Sequence, residues 1–185
     1  MERAQVGTGV RSTVLWDTPL GHLGIWTTRN GVRRIGFAVE DVAAQGNDDD
    51  GQPNHLEEAA TQLQEYFAGA RQLFDLELDF SGATEFQRGI YRRLVRIPHG
   101  RILSYGDIAD ELGEPGAARA VGQAVGANPL PILVPCHRVV RSDGRLGGYS
   151  GGLVRKVTLL RLEGIDVESP RAGSKVHPEV LRLPL

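Results

Sequence analysis

Leu73-Phe74-Asp75-Leu76-Glu77-Leu78-Asp79-Phe80 gives way, across Ser81-Gly82-Ala83, to Thr84-Glu85-Phe86-Gln87-Arg88-Gly89-Ile90-Tyr91-Arg92-Arg93-Leu94-Val95-Arg96. The first run alternates apolar and acidic residues with the period of a half-buried strand. The second opens on Thr84, a residue suited to capping a helix over Glu85–Arg96, and Ile97-Pro98-His99-Gly100 stops it. The period of the pattern therefore changes at Ser81-Gly82.

Upstream, the signals are those of a small antiparallel sheet. Thr13-Val14-Leu15-Trp16 and Gly24-Ile25-Trp26-Thr27-Thr28 read as strands around the turn Thr18-Pro19-Leu20-Gly21. Asn30-Gly31 is a tight-hairpin signal that leads into Val32–Val39 as a third strand. Apolar residues at 56, 59, 60, 63, 66 and 67 form a helical stripe. Between strand and helix, Gly46–Pro53 carries three successive aspartates, Asp48-Asp49-Asp50. A calcium loop needs acids at alternating positions and a distal glutamate, so this run reads as a solvated acidic loop.

Downstream, helices dominate. Ser104 caps Tyr105–Leu112, Gly113 stops that helix, and a second spans Gly116–Gly126. Two short helices joined by a glycine-containing turn make a helix-turn-helix candidate. Ala117, Ala120 and Gly122 keep the second helix slim enough to approach a duplex, and Arg119 alone projects far. The same small residues would equally suit packing against other helices. A strand through the cysteine segment, a hairpin turn at Ser142-Asp143-Gly144-Arg145 and a last helix over Leu153–Glu163, ended by Gly164, complete the reading. The expected fold class is α+β: residues 1–83 an antiparallel sheet with a helix, 84–170 a helical domain, 171–185 a tail.

Composition bounds the function. The chain has 185 residues, an apolar fraction of 41% and a formal net charge of −2, as for an ordinary globular protein. The charge is unevenly placed: residues 1–83 hold 6 basic against 13 acidic groups, a net of −7, and residues 84–164 hold 12 against 7, a net of +5. One basic half fits a surface that meets a polyanion, although charge also fluctuates along any sequence. No apolar run approaches membrane-spanning length and no signal peptide is visible, so a cytoplasmic, reducing location is expected.

Cys136 is the sole cysteine. It lies in Pro131-Ile132-Leu133-Val134-Pro135-Cys136-His137-Arg138-Val139-Val140. A lone thiol closes no intramolecular disulfide and no cysteine-based zinc cluster. It is either a buried bystander or a nucleophile. Pro135 stiffens its approach, His137 adds a titratable neighbour, and the Arg138 charge would favour a thiolate. Gly147-Gly148-Tyr149-Ser150-Gly151-Gly152 lets backbone approach a ligand closely, but without the lysine and serine or threonine of a nucleotide loop.

Pro135-Cys136-His137-Arg138-Val139, with Asn128-Pro129 before it and Tyr149-Ser150-Gly151-Gly152 and Leu162-Glu163-Gly164 after it, resembles the O6-alkylguanine-DNA alkyltransferases. The likeness is close over 84–164 and looser upstream, where Asp17-Thr18-Pro19-Leu20-Gly21 is similar to that family's opening hairpin. It implies a ribonuclease-H-like N-terminal sheet and a winged-helix-like C-terminal domain carrying the active site. It implies single-turnover repair, in which an alkyl group passes from O6 of a flipped guanine (or O4 of thymine) in double-stranded DNA to Cys136. His137 would be the base acting through a water, Glu163 its orienting partner and Asn128 the hinge. Arg119 would enter the base stack and Tyr105 would press on the backbone of the target. Pro131, Val139, Tyr149 and Ser150 would form the base and alkyl pocket. The resemblance implies a monomer that can bind DNA cooperatively, no membrane partner and no cofactor. The cysteines that hold zinc in some relatives are missing, so no metal is expected. Gly148 stands where the human-type sequence has Asn, which bears on the size of alkyl group accepted. A Cys-His hydrolase and a pure DNA-binding module are the competing readings. The adjacency of Cys136 and His137 argues against the first, and the presence of the cysteine against the second.

Overall fold

The computed structural model describes residues 9–40 and 54–177. The acidic loop read at 46–53 and the end of the expected tail lie outside them. The chain divides into two compact units, 1–82 and 83–185.

In the first unit, β1 (Arg11–Thr18), β2 (Gly21–Thr28) and β3 (Gly31–Phe37) form an antiparallel sheet in that order. Both turns work through Thr and Gly. Thr18 Oγ1 accepts from the Leu20 amide at 3.1 Å and Gly21 takes φ of 86°, while Gly31 takes φ of 122°. Ile25 opposes Ile35 in the register, and these two with Leu23 and Val32 are buried. Helix α1 (His55–Phe67), capped by the Asn54 side chain, buries Ala59, Leu63 and Tyr66 and packs on all three strands. Each such aliphatic side chain removed from water contributes about 1.5–3 kcal/mol.

Among the described residues, 73–80, expected as a strand, pair only through a single parallel bridge between Leu78 and Val32. The alternation holds over Leu73–Leu78, where Phe74, Leu76 and Leu78 are the less exposed positions, and breaks at Asp79, which is buried and accepts from the Thr28 hydroxyl and the Ser81 amide. A ladder does not extend because side chains take the backbone groups. Gln62 donates to the Asp75 carbonyl and accepts from its amide, both at 2.8 Å. At the bridge itself Gly31 is required, because a Cβ there would lie 2.2 Å from the Glu77 carbonyl oxygen.

In the second unit, α2 (Glu85–Val95) and α3 (Tyr105–Glu111) each start with a full capping box, Thr84 with Gln87 and Ser104 with Asp107. Helix α4 (Ala118–Gly126) packs against both. Between α2 and α3, β4 (Leu103–Ser104) runs parallel to β5 (Val139–Val140). Parallel pairing needs a long crossover, here made by α3, α4 and the cysteine segment. That segment departs from expectation: Cys136–Arg138 is one 3-10 turn rather than strand, and only Val139–Val140 is extended. The turn at 142–145 is present, with Gly144 at φ 74° and the Arg141 amide bonded to the Arg145 carbonyl at 2.9 Å. Helix α5 (Leu153–Leu162) then leads to β6 (Asp166–Val167) and β7 (Val176–His177), an antiparallel pair. Val140, Leu146, Val157, Leu160, Ile165, Val167 and Val176 share one core. Residues 171–177, set apart as tail in the sequence, thus contribute a buried valine to it.

Candidate active site

Every residue from Pro131 to Val140 is buried. What holds this segment is Asn128, just beyond the end of α4. Its Nδ2 donates to the Val134 carbonyl and its Oδ1 accepts from the Leu130 amide, both at 2.9 Å. Inside that clamp Ile132 is 1% exposed and takes φ of 78°. A β-branched residue there is strained by about 1–3 kcal/mol and persists only where its surroundings over-determine it. The same asparagine also reaches Cys136 with its side chain. The sequence-predicted hinge therefore ties the end of α4 to the cysteine turn.

The turn places Cys136 and His137 together, and α5 brings Glu163 to them. Glu163 caps the C-terminus of α5 while Gly164, at φ 79°, turns the chain away. His137 Nε2 lies 2.8 Å from Glu163 Oε1. Arg138 grips the same carboxylate with both arms, Nε to Oε2 at 2.9 Å and Nη2 to Oε1 at 2.8 Å, and its Nη1 donates to the Ile97 carbonyl. The Gly100 amide donates to Oε2 at 3.2 Å. Burial by itself would raise the Glu163 carboxyl, but His137 and Arg138 outweigh it and hold it well below the ordinary carboxylate range. An ionised carboxylate only accepts, so Nε2 carries the imidazole proton. Nδ1 is then the bare nitrogen, and it has no protein hydrogen-bond partner among the described residues. Burial pushes the His137 ring toward its neutral form, opposed by Glu163. The result is a neutral imidazole, fixed in orientation, with a free basic nitrogen.

Burial also pushes the Cys136 thiol up, against the pull of Asn128, Lys156 and Tyr149. The cation that counts is not the expected one. Arg138 is committed to Glu163, whereas Lys156 of α5 is fully buried and faces the sulfur's charge. Its Nζ donates to the Val139 carbonyl at 2.6 Å and to the Gly148 carbonyl at 3.5 Å. Burial drives its ammonium down to about 8. The sequence reading passed over Lys156, yet a signal was present: it falls on the apolar stripe Leu153, Val157, Leu160 of α5, where a lysine has no reason to be unless it has partners.

Tyr105, Gly122, Tyr149 and Ser150 line one cavity of about 220 Å³ with Val125, Gly126 and Gly148. Tyr105 leans on Gly147, where a Cβ would come within 2.9 Å of its hydroxyl oxygen. Arg119 is exposed on α4, with Ala117 just before that helix and Ala120 on it half-buried. Pro131 and Val139 lie in the buried cysteine segment.

Two family models match the chain. The one described as "6-O-methylguanine DNA methyltransferase, DNA binding domain" matches residues 85–165 and the corresponding ribonuclease-like domain matches 11–80. The chain belongs to this methyltransferase family. The methylated-DNA–protein-cysteine methyltransferase of Mycobacterium tuberculosis is 45% identical over 150 residues, 80% of this chain and 88% of that protein. A crystal structure of the M. tuberculosis O6-methylguanine methyltransferase matches at TM-score 0.71 and 40% identity, covering 83% of this chain and 92% of that one. A crystal structure of the M. tuberculosis OGT in complex with DNA matches at TM-score 0.69 and 41% identity, with 83% and 91% covered. The family's α+β fold, an antiparallel sheet followed by a helical domain, is the fold described above. No helix among the described residues is long and apolar enough to cross a membrane.

Proposed function

We propose that the chain repairs DNA by direct reversal, taking an alkyl group from O6 of guanine in a duplex onto Cys136 in a single turnover. The observation that carries this reading is the state of the cysteine turn: a buried thiol beside an imidazole whose Nε2 is spent on Glu163 and whose Nδ1 is free. A water between sulfur and Nδ1 would relay the thiol proton to His137. The thiolate displaces guanine from the alkyl carbon: an S–C bond forms, the C–O6 bond breaks, and the electron pair stays on the base. The proton lost by the thiol is the one the released guanine regains. Glu163 stabilises the imidazolium in between, as in any activated-nucleophile relay. The thioether is inert to hydrolysis, so each molecule reacts once.

The target carbon is out of reach of a buried thiol unless the base leaves the stack, at a cost of a few kcal/mol. Arg119, exposed on the slim α4, would fill the gap it leaves, with α3 and α4 acting as a helix-turn-helix. Tyr105 would press on the flanking phosphate. Tyr149, the Ser150 amide, Pro131 and the Val139 carbonyl would receive the base. A free thiol as sole acceptor requires a reducing compartment, and the cytoplasm is the proposed location. The test is intact-protein mass spectrometry after incubation with a duplex bearing one O6-methylguanine. A gain of one methyl per chain, mapped to Cys136 and lost in Cys136→Ala, is expected. Binding without any change of mass would refute the reading.

A further inference from the structure

The carboxylate of Glu163 accepts hydrogen bonds from His137, from Arg138 at both oxygens and from the Gly100 amide. Arg138 is 4% exposed and its remaining arm is held by the Ile97 carbonyl, so every nitrogen of the guanidinium has a partner. In a buried histidine-carboxylate pair, burial favours the neutral ring while the carboxylate favours the imidazolium, and a cation on the carboxylate tips the balance toward the neutral ring. An imidazolium could orient but could accept nothing from a thiol.

We propose that Arg138 is a positioning residue of the alkyl transfer: by occupying both oxygens of Glu163 it leaves enough charge there to orient the His137 ring but not enough to hold a second proton on it before reaction. The surrounding groups agree. From the 3-10 turn, Cys136 is a neutral thiol and Arg138 is positive. From α5, Glu163 is negative and Lys156 positive, and the latter also disfavours charge on His137. From the 96–100 turn, burial favours the neutral form of His99, which is half-buried within the field of Glu163 and Arg138. Tyr91 and Tyr105, facing Cys136, stay protonated. Within this set Glu163 is the anion, and Arg138 is a cation that grips both of its oxygens.

The inference rests on Cys136 being the acceptor and His137 its base. Its test is the rate of methyl transfer from the lesion duplex, in single-turnover conditions, between about pH 5.5 and pH 9. In the wild type the rate falls on the acid side as His137 takes a proton. In Arg138→Gln the acid limb moves up by at least about one pH unit, a tenfold loss at low pH that is recovered toward pH 9. Arg138→Lys keeps the charge without the fork and leaves the limb near its wild-type position. A loss of the same factor at every pH would mean a merely structural arginine and overturn the proposal. Should neither variant fold, nitrogen-15 NMR of the wild-type His137 ring decides: a neutral ring with bare Nδ1 at neutral pH is expected, and an imidazolium overturns it. A wild type that never gains a methyl would instead refute the role of Cys136, and the His137 ring titration followed by the same NMR in wild type and Arg138→Gln would then decide what Arg138 does.

Discussion

Replacing Lys156 with methionine separates what the fold favours from what the chemistry uses. The Lys156 ammonium is buried, and its affinity for a proton falls from the usual 10.5 to about 8. Between those values the unfolded chain binds more protons than the folded one, so wild-type stability rises with pH across that window. At 1.36 kcal/mol per unit, the penalty near neutral pH is about 3 kcal/mol, and it falls by about 2 kcal/mol on going to about pH 9.5. Methionine removes the charge and fills the space. It also strands the Val139 carbonyl, which costs about 1–3 kcal/mol and does so at any pH. Lys156→Met is therefore of equal or greater stability near neutrality, and its advantage over wild type shrinks by about 2 kcal/mol toward pH 9.5. Urea unfolding of both proteins at the two pH values measures this, with Cys136→Ala as the shared background so that the coupled thiol does not titrate and the comparison cancels the remaining groups. Methyl transfer by Lys156→Met with Cys136 intact is slower, because the cation facing the developing thiolate is gone. A stability difference that does not change with pH would refute the reasoning, since it would mean that Lys156 keeps its ordinary proton affinity.

Two further substitutions test the frame around the site. Ser104→Ala removes the capping box of α3, in which Ser104 Oγ accepts from the Asp107 amide at 3.0 Å; a loss of about 1–2 kcal/mol in urea unfolding is expected. Arg119→Ala slows methyl transfer from duplex DNA by roughly tenfold to a hundredfold, the equivalent of part of the cost of unstacking, and leaves transfer from single-stranded substrate nearly unchanged, as stopped-time mass spectrometry on both substrates would read.

Local rules carried the sequence reading as far as local rules apply. The hairpin at Asn30-Gly31, the Thr84 and Ser104 caps and the stop at Gly164 are each decided by a few neighbouring residues, and each stands where expected. The run Leu73–Phe80 misled because alternation reports which side chains face inward, not where the backbone hydrogen bonds go; Gln62, eleven residues upstream of Leu73, decides that. The cysteine segment misled in the same way. Its apolar run was read as strand, but complete burial there comes from a loop clamped by Asn128, and a 3-10 turn at Cys136–Arg138 satisfies its backbone. Of the site, Cys136, His137 and Glu163 were legible through resemblance. The division of labour between the cations was not: Arg138 sits next to His137 in sequence and its charge goes to Glu163, while Lys156, twenty residues from Cys136, supplies the field at the sulfur. Sequence distance says little about charge distance once a chain has folded.

The two glycines at 147 and 148 stand side by side and offer opposite prospects. Any side chain at 147 drives into the Tyr105 ring, whereas a Cβ at 148 meets no atom within 4 Å and the backbone there needs no left-handed conformation. Position 147 is thus held to glycine by Tyr105, whereas position 148, which lines the cavity with Tyr105 and Tyr149, is open to choice. Side chains of graded size at position 148 would narrow the cavity step by step, as one cuts a key on a single tooth, with the helices and the cysteine turn left as they are.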